Sequence, residues 1–263
     1  MNAKKIITLC SFISSLFLVS CFNMDEDINI TNSGSGTYTV NMDMSGMFQM
    51  IQMMKMMDTT ASSSNSLLGM GNIDSTIFMK NYLDTVTNIT PQERELFTNA
   101  TIHIIENDDN QILKVKMDMP FKSITDYQKL MTMMTANGGM ANMMGKIKGM
   151  GSDDMMGMGT DENAPPDIQS IYIIATGDNF LEKKVDEKKL ADLKANPQWE
   201  QMQMSAGMMG SYTTTTTIHL PRPAKTATGD KVKLSDDKKT ITISASFSDL
   251  FDKPESLAYM VEF

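Results

Sequence analysis

The chain has 263 residues, a formal net charge of −9, 29 Met, 2 His and 2 Cys. An acidic chain with no basic stripe excludes nucleic acid as a partner, because phosphate contacts need clustered Lys and Arg. Beyond the first twenty residues no run of ~18 consecutive apolar residues occurs, so the remainder is not expected to cross a bilayer as a helix.

Lys4 and Lys5 form a short positive segment, and Ile6 to Val19 is a mostly apolar run of the length of a signal-peptide core. The run ends in Leu18-Val19-Ser20-Cys21, which resembles the lipobox of bacterial lipoproteins. The resemblance implies that residues 1–20 are a signal peptide and that Cys21 becomes an acylated, palmitate-bearing first residue. Its lipid would then be the membrane partner. Cys10 would leave with the signal, so the mature chain would hold no free thiol, which excludes disulfides, Cys-ligated zinc and cysteine nucleophiles. Losing Lys4 and Lys5 takes the net charge from −9 to −11. Residues 21–27 read as an acidic tether. They also resemble the surface-export signal of Bacteroidetes lipoproteins, which implies the cell outer membrane and leaves exposure at the cell surface open.

Residues 28–263 read as a single α+β domain. "INITNSGSGTYTV" (28–40) alternates around Gly-Ser-Gly as one strand or as two about a turn. Met47 to Met57 is a helix with Ser45 as a plausible cap, and 58–72 is a Ser/Thr-rich loop. Ile73 to Val86 reads as strand or helix. Thr90-Pro91-Gln92-Glu93 carries the cap, the first-turn Pro and the third-position Glu of a helix start. The clearest hairpin runs from Ala100 to Phe121 about the turn Asn107-Asp108-Asp109-Asn110, with Leu113, Val115, Met117 and Met119 on its dry face.

Ser123 or Thr125 caps a helix to about Thr135. Residues 137–166, little but Gly, Met, Asp, Asn and Lys, read as a flexible Met/Gly-rich loop. A second hairpin turns at Thr176 to Asn179. Asp186 then caps a charged helix, and "SYTTTTTIHL" is a strand stopped by Pro221-Arg222-Pro223. "KVKLSDDKKTITISASF" is a third hairpin with Ile241, Ile243, Ala245 and Phe247 on one face. A helical turn near Asp249 leads to a last strand, Ala258 to Phe263. Hairpins separated by single helices predict an α+β fold, a mostly antiparallel sheet with helices packed on one face.

The lipobox, "GSGTYTVNMDMS", "LPRP" and the closing "LSDDKKTITISASFSDLFDKPESLAYMVEF" resemble a group of uncharacterised Bacteroidetes outer-membrane lipoproteins. A looser likeness is to LppM-like lipoproteins of actinobacteria, where a Gly-containing strand also follows the lipidated Cys. The resemblance carries location and fold class and implies no activity.

Methionine concentrates in 42–57, 131–158 and 202–209, which together hold 22 of the 29. Thioether sulfur suits Cu(I), and Met140, Met143, Met144, Met155, Met156 and Met158 are the candidate ligands. Against metal stands core packing, since in 47–57 Gln49, Gln52 and Lys55 form one narrow polar stripe on an otherwise apolar helix. A Met-lined cavity for a hydrophobic ligand is the third option. Asp58-Thr59-Thr60, Asp74-Ser75-Thr76 and Asp84-Thr85-Val86 resemble Bacteroidetes O-glycosylation sites and mark Thr59, Ser75 and Thr85. The acidic pairs lack the alternating spacing of a calcium loop. No Gly-x-Ser-x-Gly, His-Glu-x-x-His or phosphate loop occurs, so no catalytic residue is expected. The expectation is a lipid-anchored cell-envelope lipoprotein with a non-catalytic binding or structural role. Its partners would be envelope proteins or a hydrophobic ligand; no cofactor is expected beyond a possible Cu(I).

Overall fold

The computed structural model describes residues 23–46, 72–84, 89–135, 168–200, 203–204 and 213–263, with Phe247 described by its backbone alone. The expected Met47–Met57 helix, the 58–71 part of the Ser/Thr-rich loop and the whole 137–166 loop lie outside these residues.

The chain opens with β1 (Asn23–Ile30) and β2 (Gly36–Asp43), an antiparallel pair closed by the turn at Thr31 to Ser35. The side chains of Thr31, Ser33 and Ser35 hydrogen-bond one another across that turn. Residues 23–27, expected as an acidic tether, are the first half of β1. They pair residue for residue with β2 on one side and with Thr213 to Thr217 on the other. An acidic run can be a strand because alternation sends Asp25 and Asp27 outward while Met24 and Glu26 turn in.

β3 (Ile73–Phe78) resolves the strand-or-helix question for 73–78 and is followed by a single 3-10 turn. α1 (Pro91–Phe97) starts where its cap predicts. The Thr90 hydroxyl accepts from Glu93 N at 3.2 Å, and Thr90 N donates to the Glu93 carboxylate at 2.6 Å. Thr90→Ala is expected to lower stability by about 1 kcal/mol, read as a fall in the urea midpoint at unchanged slope; an unchanged midpoint would remove the cap from the account. β4 (Thr101–Asn107) and β5 (Ile112–Phe121) form the long hairpin, its turn closed by Asn110 N donating to the Asn107 side chain. α2 (Ile124–Thr135) follows, with Ser123 receiving Asp126 N.

β6 (Tyr172–Gly177) and β7 (Phe180–Val185) are the second hairpin, and Asp186 caps α3 (Glu187–Lys194) through two backbone amides. β8 (Thr213–His219), β9 (Thr226–Thr228), β10 (Val232–Leu234), β11 (Thr240–Ser246), α4 (Phe247–Asp252) and β12 (Tyr259–Glu262) complete the chain.

These strands make two sheets, where one was expected. Eight strands run in the order β10-β11-β8-β1-β2-β5-β4-β3, and four in the order β6-β7-β12-β9. Every pairing is antiparallel except β1 with β8, which run parallel in the middle of the large sheet. Hairpin reasoning cannot see that pair, because its partners lie some 190 residues apart in sequence.

The inward faces of both sheets share one core. Ile28, Val40, Ile102, Leu113, Met117 and Ile241 from the large sheet meet Ile174, Leu181, Tyr259 and Val261 from the small one. Tyr127 and Leu130 of α2 and Phe97 of α1 belong to the same core. A second cluster gathers Ile171, Tyr172, Leu190, Leu193, Trp199, Ala245, Leu250 and Phe251 at one end. The opposite face of the large sheet is polar: Asp25, Asn41, Lys116, His103, Thr215 and Ser244 fall in one row across six strands. No described helix is long and apolar enough to cross a membrane.

Candidate functional site between the two sheets

The parity that buries Ile28 and Ile30 also carries Glu26 into the interface between the sheets. Both carboxylate oxygens are engaged by neighbouring strands. The Tyr38 hydroxyl on β2 donates to Oε1 at 2.7 Å, and the Thr216 hydroxyl on β8 donates to Oε2 at 2.6 Å. From the small sheet, Lys183 on β7 and Tyr259 on β12 are direct partners in register and face the same spot. The Lys183 ammonium lies 4.3 Å from the centroid of the Tyr172 ring, an attractive cation–π placement. α2 adds Tyr127, hydrogen-bonded to Tyr259 and set edge-on to Tyr38 with ring centroids 5.9 Å apart.

Burial drives the Lys183 ammonium below the usual lysine value, and the nearby Glu26 charge only partly offsets it. Burial likewise raises the Tyr38, Tyr127 and Tyr259 phenols well above the ordinary range, with the negative charge of Glu26 adding to it. Tyr172 is raised by burial and then by Glu255. The phenols therefore stay protonated, as donors, at any physiological pH. A carboxylate, a weakened ammonium and fixed hydroxyls are the ingredients of acid–base chemistry. The enclosed space they surround, however, is ≈ 10 Å³, room for about one water and not for a substrate. In this geometry the cluster acts as a polar clamp between the sheets.

Lys183 also supplies a pH test. Because its folded value is lowered, the folded state holds the charge at a cost below that value, and the cost fades as pH rises toward 10.5. Lys183→Met is expected to stand highest relative to the parent near pH 7, where the parent still carries that cost. Its relative standing should drop as pH is raised to 10. Urea midpoints at the two pH values check this; a variant that gains on the parent with rising pH would reverse the sign.

An open groove of ≈ 500 Å³ runs between α1 and α2, lined by Thr90, Gln92, Glu93, Gln128, Thr132 and Met133. It is shallow and mostly neutral, and it converges no charged groups beyond Glu93 and Lys129.

No protein-family model matches the chain, and no curated protein matches it. Among solved structures it is similar to the NMR structure of the folded domain of Mycobacterium tuberculosis LppM. The identity is 9%, the TM-score 0.37, and the match covers 92% of this chain and 90% of that one. No family is shown. A likeness so loose transfers neither site nor activity.

Of the residues singled out in the sequence, Cys21, Thr59, Thr85 and the six candidate copper ligands Met140, Met143, Met144, Met155, Met156 and Met158 lie outside the described residues. Ser75 is half-buried on β3, opposite Ile104 and on the same parity as Ile73 and Ile77. Met44, Met79, Met117 and Met119 are each 1% exposed in the main core, and Met131, Met133 and Met134 pack against it. For these seven, filling space between sheet and helix is the observed role. Among the described residues no group of three or more His, Cys, Asp or Glu is placed to hold a metal. His103 and His219 lie on the outer face, each beside a carboxylate of an adjacent strand: Asp74 at 2.7 Å and Asp27 at 3.0 Å.

Sequence reasoning missed Glu26 and Lys183, although a signal for both exists. Continuing the β1 alternation backward from Ile30 and Ile28 lands on Glu26. The alternation Leu181, Lys183, Val185 does the same in "FLEKKV".

Proposed function

We propose that the protein is a lipoprotein of the cell envelope, anchored in the outer membrane through an acyl-modified Cys21, whose folded domain works by non-catalytic binding or structural association. The observation that carries this is the segment Leu18-Val19-Ser20-Cys21 behind a charged and then apolar leader. The resemblance to Bacteroidetes lipoproteins supports the outer-membrane location and leaves surface display as part of the proposal. The interior supports binding at the surface of the domain, because the space beside Glu26 takes one water rather than an acyl chain. The candidate Cu(I) ligands lie outside the described residues, and the groove between α1 and α2 is open and lined mainly by Thr and Gln, which favours surface binding over an enclosed hydrophobic carrier site.

Native mass spectrometry of protein purified gently from its own membrane, after growth with and without added copper, tests the proposal. The expected species starts at Cys21 and carries the mass of its acyl chains, unchanged by copper. A chain cut elsewhere or without acyl mass would defeat it. A copper-dependent mass increment would transfer the methionines to the metal reading, and a retained lipid that is not covalently bound would support the carrier.

A further inference from the structure

Residues 23–27, five of the seven expected as a tether between anchor and domain, belong to β1 and are not free chain. Asn23 is already paired with Asp43 on one side and Thr213 on the other, in the middle of an eight-stranded sheet. Only Phe22 separates it from Cys21, and two residues of extended chain reach at most about 7 Å. A strand fixed on both sides cannot peel away to lengthen that link. We infer that the end of the sandwich at which β1 begins is its membrane-facing pole, held flush against the bilayer surface with the strands standing up from it; this rests on the proposed lipidation of Cys21.

Three further observations point to the same pole. First, the register puts the end of β2 (Asp43), the start of β8 (Thr213) and the end of β11 (Ser246) level with Asn23. Second, α2 starts at the opposite pole, where the Thr176 hydroxyl on β6 donates to the Ile124 carbonyl, and it reaches the 168–171 turn. That turn packs with Met24 and Ala245, one residue in from the pole. Twelve helical residues span about 18 Å, close to the length of the neighbouring β6. Third, the chain therefore leaves or rejoins the fold at this pole after Gly46, after Thr135, before Ile168 and before Thr213, within or beside the stretches that hold 22 of the 29 methionines. The far pole is closed by polar turns at Thr31 to Ser35 and Gly177 to Phe180, and by Pro221 to Pro223.

The pole is not basic. The Asn107 to Asn110 turn brings Asp108 and Asp109 to it, and Asp25 and Asp43 stand nearby. The acyl anchor and not attraction to anionic headgroups sets the contact, so the surface that fits is a zwitterionic one.

The test uses the full acylated protein in phosphatidylcholine vesicles. Its mature chain would hold no other free thiol, so single cysteines can be labelled cleanly. Asn110→Cys and Ser248→Cys sit at the proposed membrane pole; Ser33→Cys and Asp178→Cys sit at the far one. All four positions are exposed, and the poles are about 26 Å apart over an eight-residue strand. A fluorophore at each is read against a spin-labelled headgroup that quenches at short range. Strong quenching at 110 and 248 with several-fold weaker quenching at 33 and 178 is the expected result. Equal quenching at both poles, or the reverse order, in a protein that floats with the vesicles and shows its acyl mass, overturns the orientation alone. A protein that lacks acyl mass and does not float overturns the lipidation and the orientation together.

Discussion

Gly36→Ala is expected to cost the domain on the order of 4 kcal/mol, or to stop it folding. A Cβ at this position would lie 1.9 Å from the Asn29 carbonyl oxygen and 2.4 Å from the Phe121 ring. The carbonyl belongs to β1, which is held on both sides, and Phe121 is buried against Tyr127 with ring centroids 5.4 Å apart. Neither neighbour can yield without opening the centre of the large sheet. Gly34, two residues earlier, is the control. It sits at φ +78 with nothing closer than 3.9 Å, so Gly34→Ala costs only the left-handed backbone penalty of roughly 1–2 kcal/mol. Urea unfolding of the two variants side by side decides the matter. If Gly34→Ala proves the more damaging, the close approach of β1 and Phe121 is not what requires glycine at 36.

That pair of glycines shows how far the sequence is readable. "GSG" between two alternating segments announces a turn, and a turn is there. What it hides is that Gly34 serves the turn while Gly36 serves packing against a strand 85 residues downstream. The same division runs through the molecule. The 100–121 hairpin, the Thr90 helix start and the Asp186 cap were legible because each is written in residues a few positions apart. The parallel β1–β8 contact, the three-residue β9 and the division into two sheets were not. They depend on which strands meet after folding, and local propensity is silent on that. The site was hidden for a further reason: solvation is the ordinary meaning of "MDEDI" and "LEKKV", and only strand parity separates Glu26 from Asp25 and Lys183 from Lys184. The methionines divide by location. Those on β5 follow a plain strand alternation and are core, whereas the clusters that suggested metal lie outside the described residues.

Glu26→Ala is expected to destabilise the domain by about 3–5 kcal/mol, through a mechanism that differs from lost apolar packing. The truncation removes the acceptor for two hydroxyls at once. Tyr38 is only 3% exposed and Thr216 8%, so neither reaches bulk water instead. Each orphaned donor costs roughly 1–3 kcal/mol. The nearby Lys183 ammonium also loses the one charge that favours its protonated form. Glu26→Gln keeps an acceptor for one donor but points an amide N–H at the other, and about half the loss is expected. Thr216→Val removes one donor and keeps the shape, so it should cost about 1 kcal/mol alone and less than that in the Glu26→Gln background. A double-mutant cycle read by urea unfolding measures the coupling. Additive losses, with no coupling between positions 26 and 216, would mean that the carboxylate is held by something other than these hydroxyls. A positive coupling would identify Glu26 as the residue that locks β1, β2 and β8 into one register. It would also explain why an acidic side chain, three positions past the first paired residue, stands where a tether was expected.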